Sequence, residues 1–108
     1  RHVRVVRSDE GLRACLADVE RLRGQTEDLG AEGPARLAEA LELENLLTVA
    51  EIMARAALLR TESRGSHCRE DHPGRDDAHW RTSIVTRRVE GRMEQYTARL
   101  PRLVAAAA

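Results

Sequence analysis

One helical segment constrains the possible folds of this chain more than any other feature. Residues 46–59, LLTVAEIMARAALL, are apolar on nearly every side of a helix, and a densely charged segment begins three residues later, at Glu62. A helix with this profile must be covered on several sides. The chain has only 108 residues, so two coverings stay open: its own C-terminal segment, or the surface of a partner or of a larger parent protein.

Apolar spacing predicts two helices joined by a polar linker. The first helix is predicted over 8–23, with Ser8 as N-cap and an acidic first turn. Its apolar residues recur every three or four positions and lie on one face: Leu12, Cys15, Leu16, Val19 and Leu22. The linker is predicted over 24–34. Pro34 suits the first turn of a helix, so the second, long helix is predicted over about 35–62.

A β-hairpin is predicted after the charged loop 63–81. Asp76 and Asp77 can cap a short helical turn that carries Trp80. Residues 83–98 then alternate in character on either side of Glu90-Gly91, which is typical of a hairpin turn. The predicted fold is therefore mainly α, a two- to three-helix antiparallel bundle with a long central helix, followed by a short β-hairpin. A poorly ordered tail is expected at 105–108.

Composition excludes several classes of function. All eighteen basic residues are Arg, and eighteen acidic residues balance them to a net charge of zero, which disfavours nucleic acid and anionic membranes as partners. No run approaches the roughly 20 apolar residues that cross a bilayer, so no direct membrane insertion is expected. Two cysteines are too few for a disulfide framework, and a cytoplasmic location is expected. The chain lacks an initiating Met and is expected to be a piece of a longer protein.

Candidate catalytic and metal-binding groups receive little support. The possible zinc ligands of the charged segment are His67, Cys68, His72 and His79. Their spacing is too irregular for a structural zinc site. Cys68 is not expected to be a nucleophile, because adjacent residues rarely present both side chains to one site. Acid–base work by the His and Asp residues stays open, although a structural role is favoured. The linker lacks the Lys of a phosphate-binding loop, and Cys15 is expected to be a small core residue.

The charged segment itself predicts a network of ion pairs. Arginine side chains and carboxylates are interleaved from Glu62 to Arg81, while Gly65, Pro73 and Gly74 interrupt helix formation. Arg presents a planar set of donors that matches a carboxylate. Such density favours a paired network that fixes the shape of the loop, and some of its members could pair across a domain boundary.

The segment 44–80 resembles the signature region of a known family. It is similar to the C-terminal helical domain of the flavoproteins of succinate dehydrogenase, fumarate reductase and L-aspartate oxidase, where an Asn-bearing apolar helix precedes R-x-ESRG-x-H-x-R-x-D-x-P-x-RDD-x-x-W. The pattern is met here by Asn45, Arg60, Glu62, Ser63, Arg64, Gly65, His67, Arg69, Asp71, Pro73, Arg75, Asp76, Asp77 and Trp80. The resemblance extends from about Val5 to Leu100 and implies one flavoprotein C-terminal helical domain over 1–104.

What the resemblance implies is a structural part of a redox enzyme. In the family, FAD and the dicarboxylate are held by other domains, and no G-x-G-x-x-G occurs in this chain. The resemblance therefore assigns no catalytic, cofactor-binding or metal residue here and places FAD in the parent protein. The expected structural and docking network consists of Glu62, Arg64, His67, Arg69, Asp71, Arg75, Asp76, Asp77 and Trp80.

Several identities of the parent protein are left open. The hairpin after RDD-x-x-W favours succinate dehydrogenase or fumarate reductase, and L-aspartate oxidase is the alternative. The expected partners are the FAD and capping domains of the parent and an iron–sulfur subunit, at the cytoplasmic face of the inner membrane through a complex. A different class also stays open, in which the chain is a free-standing helical protein-interaction module.

Overall fold

The computed structural model describes residues 6–26 and 33–99. The elements follow in the order β1 (Val6–Arg7), α1 (Asp9–Thr26), α2 (Pro34–Leu59), β2 (Cys68–Arg69), α3 (Asp77–Trp80), β3 (Thr82–Val89) and β4 (Arg92–Arg99). Two packed helices are followed by a one-turn helix and an antiparallel hairpin, so the prediction of a mainly α fold with a C-terminal hairpin is confirmed.

Helix α1 begins where the sequence predicts and ends later. The Ser8 hydroxyl accepts a hydrogen bond from the Gly11 amide at 3.1 Å, which satisfies one of the free N–H groups of the first turn. The helix was predicted to end at Arg23, but it continues past Gly24 to Thr26. The Thr26 hydroxyl donates to the carbonyl oxygen of Arg23 at 2.8 Å and stabilises this last turn. Positions 27–32 of the predicted linker lie outside the described residues.

Contacts at both ends show that α1 and α2 run antiparallel. Arg23, near the end of α1, donates to Glu44 at 3.0 Å and to Glu51 at 2.8 Å in the first two-thirds of α2. At the other end, the Asp9 carboxylate lies 3.9 Å from the guanidinium of Arg69, which contacts the end of α2. The two helices therefore meet through an apolar strip with charged pairs at its edges.

Helix α2 ends at Leu59, so the prediction that it continues to Glu62 was wrong. Arg60 already has an extended backbone, with φ −79° and ψ 100°. The Arg69 guanidinium Nη1 donates to the carbonyl oxygens of Ala57 at 3.2 Å and Leu58 at 2.7 Å. These oxygens would otherwise lack partners at a helix C-terminus. A side chain 11 and 12 residues further along the chain therefore satisfies the end of this helix.

The hydrophobic core is small and does not cover α2. Five apolar side chains are buried among the described residues: Leu12, Val19, Leu47, Ala54 and Ala57. On another side of α2, three residues at helical spacing stay exposed, Leu46, Val49 and Met53, and we call them the outer α2 patch. Leu37 and Leu41 form a second exposed pair on the first half of the helix. At these positions the described part of the C-terminal segment, residues 82–99, therefore does not cover α2.

The hairpin contacts a different side of α2. Gln95 of β4 donates through Nε2 to the carbonyl oxygen of Ile52 at 3.1 Å. Above this contact an open cleft of about 460 Å³ separates the helices from the hairpin. Glu90 and Gly91 have φ values of 49° and 77°, the positive values that a tight two-residue hairpin turn requires. The predicted turn is therefore present, but the hairpin leaves the outer α2 patch open.

One strand pair was not predicted. β1 pairs in parallel with β2, with Val6 opposite Cys68 and Arg7 opposite Arg69. Positions 1–5, which precede β1, lie outside the described residues. None of the helices within 6–26 and 33–99 is long and apolar enough to cross a lipid bilayer.

The core predicts a large effect of truncation at Leu12. Leu12 is fully buried between the helices, and replacing a buried Leu by Ala costs about 3 kcal/mol through lost transfer free energy and cavity formation. Urea denaturation of Leu12→Ala should show this loss. Leu37→Ala is the matched control, because Leu37 is 52% exposed, and its free energy of unfolding should change by less than about 0.5 kcal/mol. Equal effects of the two substitutions would contradict this account of the core.

Candidate functional site

A buried carboxylate, Glu62, forms the centre of the charged segment. Glu62 is fully buried. Its Oε1 accepts hydrogen bonds from Arg60 Nη1 at 2.7 Å and Arg64 Nε at 2.8 Å. Its Oε2 accepts from Arg64 Nη2 at 3.1 Å and from the backbone amide of Asp76 at 2.8 Å. Four donors therefore converge on one carboxylate and join the end of α2 to the start of α3.

These donors keep Glu62 ionised in spite of its burial. The hydrogen bonds from Arg64 have the largest effect, and they outweigh the cost of burial together with those from the Asp76 amide and Arg60. They lower the pKa of Glu62 to about 2. A buried charge is tolerated in a protein when it is paired and hydrogen-bonded in this way. Glu62 is therefore held as a structural anion and is not a proton donor near neutral pH.

Arg60 extends the network to the hairpin. Its Nη1 also donates to the carbonyl oxygen of Trp80 at 2.9 Å, and its Nη2 donates to the carbonyl oxygen of Thr82 at 2.7 Å. The guanidinium lies over the Trp80 ring at 5.2 Å from the centroid, within the range of a cation–π contact. The indole Nε1 donates to the Thr61 hydroxyl at 2.9 Å. One side chain thus fixes the position of α3 and the first residue of β3.

Arg64 joins the buried carboxylate to the surface. Its Nη2 donates to Asp77 Oδ1 at 2.5 Å, and Arg75 Nε donates to the same oxygen at 2.9 Å. The hydrogen bonds from Arg75 and Arg64 lower the pKa of Asp77 to about 2. Asp76 acts as the predicted cap, since its Oδ1 accepts from the His79 amide at 3.2 Å. From the interior to the surface, the network therefore runs from Glu62 through Arg64 and Asp77 to Arg75.

A second buried ion pair stands at the end of α2. Arg69 is only 1% exposed and binds Asp71 through two parallel bonds, Nε to Oδ1 at 3.0 Å and Nη2 to Oδ2 at 2.5 Å. The bonds from Arg69 lower the pKa of Asp71. The remaining nitrogen of Arg69 binds the last carbonyl oxygens of α2, as described above. Helix carbonyls carry partial negative charge, so this guanidinium is matched by negative charge on both sides.

The loop between the two ion pairs is held by backbone and hydroxyl contacts. Arg64 and His67 exchange two backbone hydrogen bonds, at 2.7 and 2.9 Å, around a turn in which Gly65 has φ 57°. The Ser63 hydroxyl donates to the carbonyl oxygen of His72 at 2.8 Å and accepts from the Arg69 amide at 2.9 Å. The ring of His67 lies between the loop and β1, where Nδ1 is 3.1 Å from Arg7 Nη1.

Of the nine residues predicted for the network, the structure brings six around Glu62 and places three elsewhere. The group around Glu62 comprises Glu62, Arg64, Arg75, Asp76, Asp77 and Trp80. Arg69 and Asp71 form the second ion pair, and His67 connects the loop to β1. Arg60, Ser63 and Arg7 were missed. For Arg60 a signal existed, because Arg60 and Arg64 flank Glu62 at equal spacing.

The residues considered for catalysis are not arranged for it. Both ring nitrogens of His67 face other partners, Arg7 and the carbonyl oxygen of Arg60, so His67 is not placed to act as a base for Cys68. His79 binds Asp76 on the surface. Within the described part of the chain, no three His, Cys, Asp or Glu side chains are arranged to hold a metal ion. The half-buried Cys15 has a pKa raised by burial, and burial of a thiol favours its neutral form.

A flavin does not fit the cluster of paired residues. The pyrophosphate of FAD needs free donors at a glycine-rich turn that opens a helix. The arginines around Glu62 and Asp71 already donate to carboxylates and carbonyl oxygens within the domain. Of the two glycines in this loop, Gly65 forms a two-residue turn between Arg64 and His67 and does not open a helix, and the carbonyl oxygen of Gly74 accepts a hydrogen bond from the Ser63 amide at 3.0 Å. The cluster is therefore suited to holding chain segments together.

The fold and the paired network define an accessory helical domain whose charged residues hold its own segments in place. The chain belongs to the family described as the C-terminal domain of the fumarate reductase flavoprotein, which matches residues 1–103. Flavoproteins of succinate dehydrogenase, fumarate reductase and L-aspartate oxidase are among its relatives. The resemblance stated from the sequence is therefore confirmed.

Individual relatives come from all three branches. The matching component of the fumarate reductase (CoM/CoB) of Methanothermobacter marburgensis is 40% identical over 80% of this chain and 16% of that protein. L-aspartate oxidase of Streptomyces coelicolor is 39% identical over 71% of this chain and 12% of that protein. The succinate dehydrogenase flavoprotein of Rickettsia bellii is 37% identical over 73% and 14%. This chain thus spans less than one-fifth of the length of these relatives.

A solved structure shows the same architecture. The FrdA polypeptide of Escherichia coli quinol fumarate reductase matches 89% of this chain and 18% of its own with a TM-score of 0.77 and 25% identity. The likeness in three dimensions covers nearly all of the present chain.

The ionised state of Glu62 predicts a defined pH dependence. Because its folded pKa of about 2 lies below the ordinary value of 4.5, its contribution to stability is present above pH 4.5 and is lost as pH falls towards 2. Glu62→Gln should lose about 3 kcal/mol at pH 7, since a neutral amide leaves two arginines without their anion. Urea denaturation at several pH values should show the difference from the natural sequence shrinking below pH 4.5. Glu39→Gln, at an exposed position of α2, is the control. A loss of stability that does not depend on pH would contradict the assignment.

Arg64 predicts a local change in dynamics. Arg64→Ala removes two of the donors to Glu62 and a partner of Asp77, so the loop and α3 should separate more often. Hydrogen exchange should become faster at the amides of Asp76 and Ser63, which donate to Glu62 and to the carbonyl oxygen of Gly74. Arg13→Ala, which removes only the exposed pair with Asp9 on α1, serves as the control. Unchanged exchange in Arg64→Ala would argue against a network role.

Proposed function

We propose that this chain is the C-terminal structural and docking domain of an FAD-dependent dicarboxylate oxidoreductase of the succinate dehydrogenase or fumarate reductase type. One observation carries the docking role: the outer α2 patch leaves three large apolar side chains, Leu46, Val49 and Met53, about half or more exposed. Contiguous apolar surface of this kind marks a contact with another protein surface. The relatives are about five to six times as long as this chain, so the missing cover is supplied by the remainder of the parent protein.

The paired network supports the docking role indirectly. The donors and acceptors of its buried members, Glu62 and Arg69, are satisfied within the domain, so these two residues present no unpaired charge that a partner would need to neutralise. Arg60 and Arg69 hold the end of α2, the loop and the hairpin in one arrangement. A surface that is already fixed loses less conformational entropy when it binds. In this proposal the network shapes the domain and the apolar face of α2 contributes most of the docking free energy.

The redox chemistry belongs to the remainder of the parent protein. There, a flavin domain and a capping domain hold FAD and the dicarboxylate, and hydride passes between the two. The proposed partners of this chain are those two domains, with an iron–sulfur subunit reached through the parent. The complex is proposed to stand at the cytoplasmic face of the inner membrane. In this proposal the chain contributes a stable surface against which those domains pack.

L-aspartate oxidase is the alternative parent. The relative from Streptomyces coelicolor is nearly as similar as the fumarate reductase component, at 39% against 40% identity. The sequence encoded upstream of Arg1, followed by assays of the extended protein with succinate, fumarate and L-aspartate, distinguishes the parents. A flavin-binding segment upstream and turnover of succinate or fumarate support the proposal. A reading frame that begins near Arg1 would overturn it and favour a free-standing interaction module.

Val49 predicts a docking defect that leaves the isolated domain intact. Val49 is 54% exposed, so Val49→Glu should change the free energy of unfolding of the 108-residue chain by less than about 1 kcal/mol. In the extended protein, a carboxylate buried without a partner should weaken the contact with the flavin-bearing part. Limited proteolysis at the domain junction should therefore become at least several-fold faster.

Ala17→Glu provides the matched control for this experiment. Ala17 is exposed on α1, so the substitution adds the same charge to a helix surface away from the outer α2 patch. Equal proteolysis rates for Val49→Glu and the unmodified extended protein would show that the patch does not face the remainder of the parent.

A further inference from the structure

The contact between β1 and β2 is short and depends on side chains. The two strands pair over two residues each, and the Glu70 amide donates to the carbonyl oxygen of Arg7 at 2.8 Å just beyond the pair. Two isolated strands of this length supply too few backbone hydrogen bonds to hold together in water. Side-chain contacts that cross from β1 to the loop therefore decide whether this pair stays formed.

His67 makes such a contact in one protonation state only. Its Nδ1 is 3.1 Å from Arg7 Nη1, and its Nε2 is 3.3 Å from the carbonyl oxygen of Arg60. Arg can only donate and a carbonyl oxygen can only accept. Nδ1 must then accept and Nε2 must carry the proton, which defines a neutral ring in the Nε2–H tautomer. A protonated ring would turn an N–H group towards the guanidinium of Arg7.

The charges around His67 oppose its protonation. The cations that face it come from three parts of the chain: Arg7 in β1, Arg60 after α2, and Arg69 in β2. The nearby carboxylates are engaged elsewhere, Glu62 with Arg60 and Arg64, and Asp71 with Arg69. Burial and these three cations lower the pKa of His67 below 6.5, although the bond to the Arg60 carbonyl oxygen acts in the opposite direction.

We propose that His67 is a proton-operated latch for β1. In its neutral form the imidazole ties Arg7 to the residue that follows α2, and the β1–β2 pair stays closed. On protonation Nδ1 loses its lone pair, the bond to Arg7 becomes a repulsion between two cations, and β1 separates from β2. The latch is argued from contacts within this chain and does not require that the chain docks on a flavin-bearing body.

The direction of the pH dependence follows from the ring. Because the neutral form is favoured in the folded chain, the stabilising effect of His67 is complete above pH 6.5 and decreases as pH falls below it. The other described histidines do not share this geometry. His72 lies 3.7 Å from Asp71 and His79 lies 2.9 Å from Asp76, so each of them faces a carboxylate and not an arginine.

Hydrogen exchange of the 108-residue chain tests the latch. The Glu70 amide reports on the β1–β2 contact, and its protection factor should fall on the order of tenfold between pH 7.5 and pH 5, as expected for loss of about one hydrogen bond to a charged group. The amide of Ala54, in the middle of α2, should keep its protection over the same range. An unchanged protection factor at Glu70 would overturn the proposal.

Two variants separate the latch from general effects of acid. His67→Gln keeps an acceptor and a donor but cannot titrate, so the Glu70 protection factor should not depend on pH in this range. His72→Gln should retain the fall seen in the natural sequence. Nitrogen-15 spectra of the unsubstituted chain give an independent measurement, in which His67 should be the Nε2–H tautomer at pH 7.5 and titrate below 6.5. The Nδ1–H tautomer, titration above 6.5, or an equal fall in His67→Gln would each overturn the proposal.

Discussion

The structure depends on one buried negative charge. The carboxylate of Glu62 lies out of contact with solvent, and it can stay ionised there only because four donors from three chain segments point at it. Each donor in turn fixes something else: Arg60 holds the hairpin, Arg64 holds Asp77, and the Asp76 amide places the start of α3. If one donor moved away, part of the cost of burying the charge would be unopposed. The connection from α2 to β3 therefore has one stable arrangement.

The buried charges around Glu62 hold chain segments together, which in larger domains is done by a hydrophobic core. Only five apolar side chains are buried among the described residues, and all of them belong to α1 or α2. Beyond Leu59 the segments are joined through guanidinium, carboxylate and carbonyl groups, with Arg69 as a second buried charge. Buried ion pairs often add little net stability compared with apolar packing, but they demand specific geometry. The domain thus gains a defined shape from its charges and only modest stability from its core.

The sequence predicted those parts of the fold that depend on local patterns. The apolar spacing of α1, the Asp76 cap and the Glu90-Gly91 turn each need only a few neighbouring residues. The features that it did not predict depend on distant groups. Helix α2 ends at Leu59 because Arg69 binds its last carbonyl oxygens, and β1 forms because Arg7 meets a strand more than sixty residues away. The network residues could be listed from the interleaved charges of 62–81 and the family pattern, but which arginine binds which carboxylate could not be predicted.

The structure separates two tasks that the sequence pattern assigned to one network. From the charged residues beside an apolar helix, the sequence predicted that one network both fixes the shape of the loop and docks it on another domain. In the structure the buried members of the network are paired within the domain, whereas the described residues leave the outer α2 patch exposed. Burying a large apolar side chain fully stabilises a contact by about 1.5–3 kcal/mol, and an exposed ion pair by less than about 1 kcal/mol. Three half-exposed apolar residues therefore offer more docking free energy than the surface end of the network, Arg75 with Asp77. In the proposed docking, the charged network therefore fixes the position of α2, and the outer α2 patch makes the contact with the parent protein.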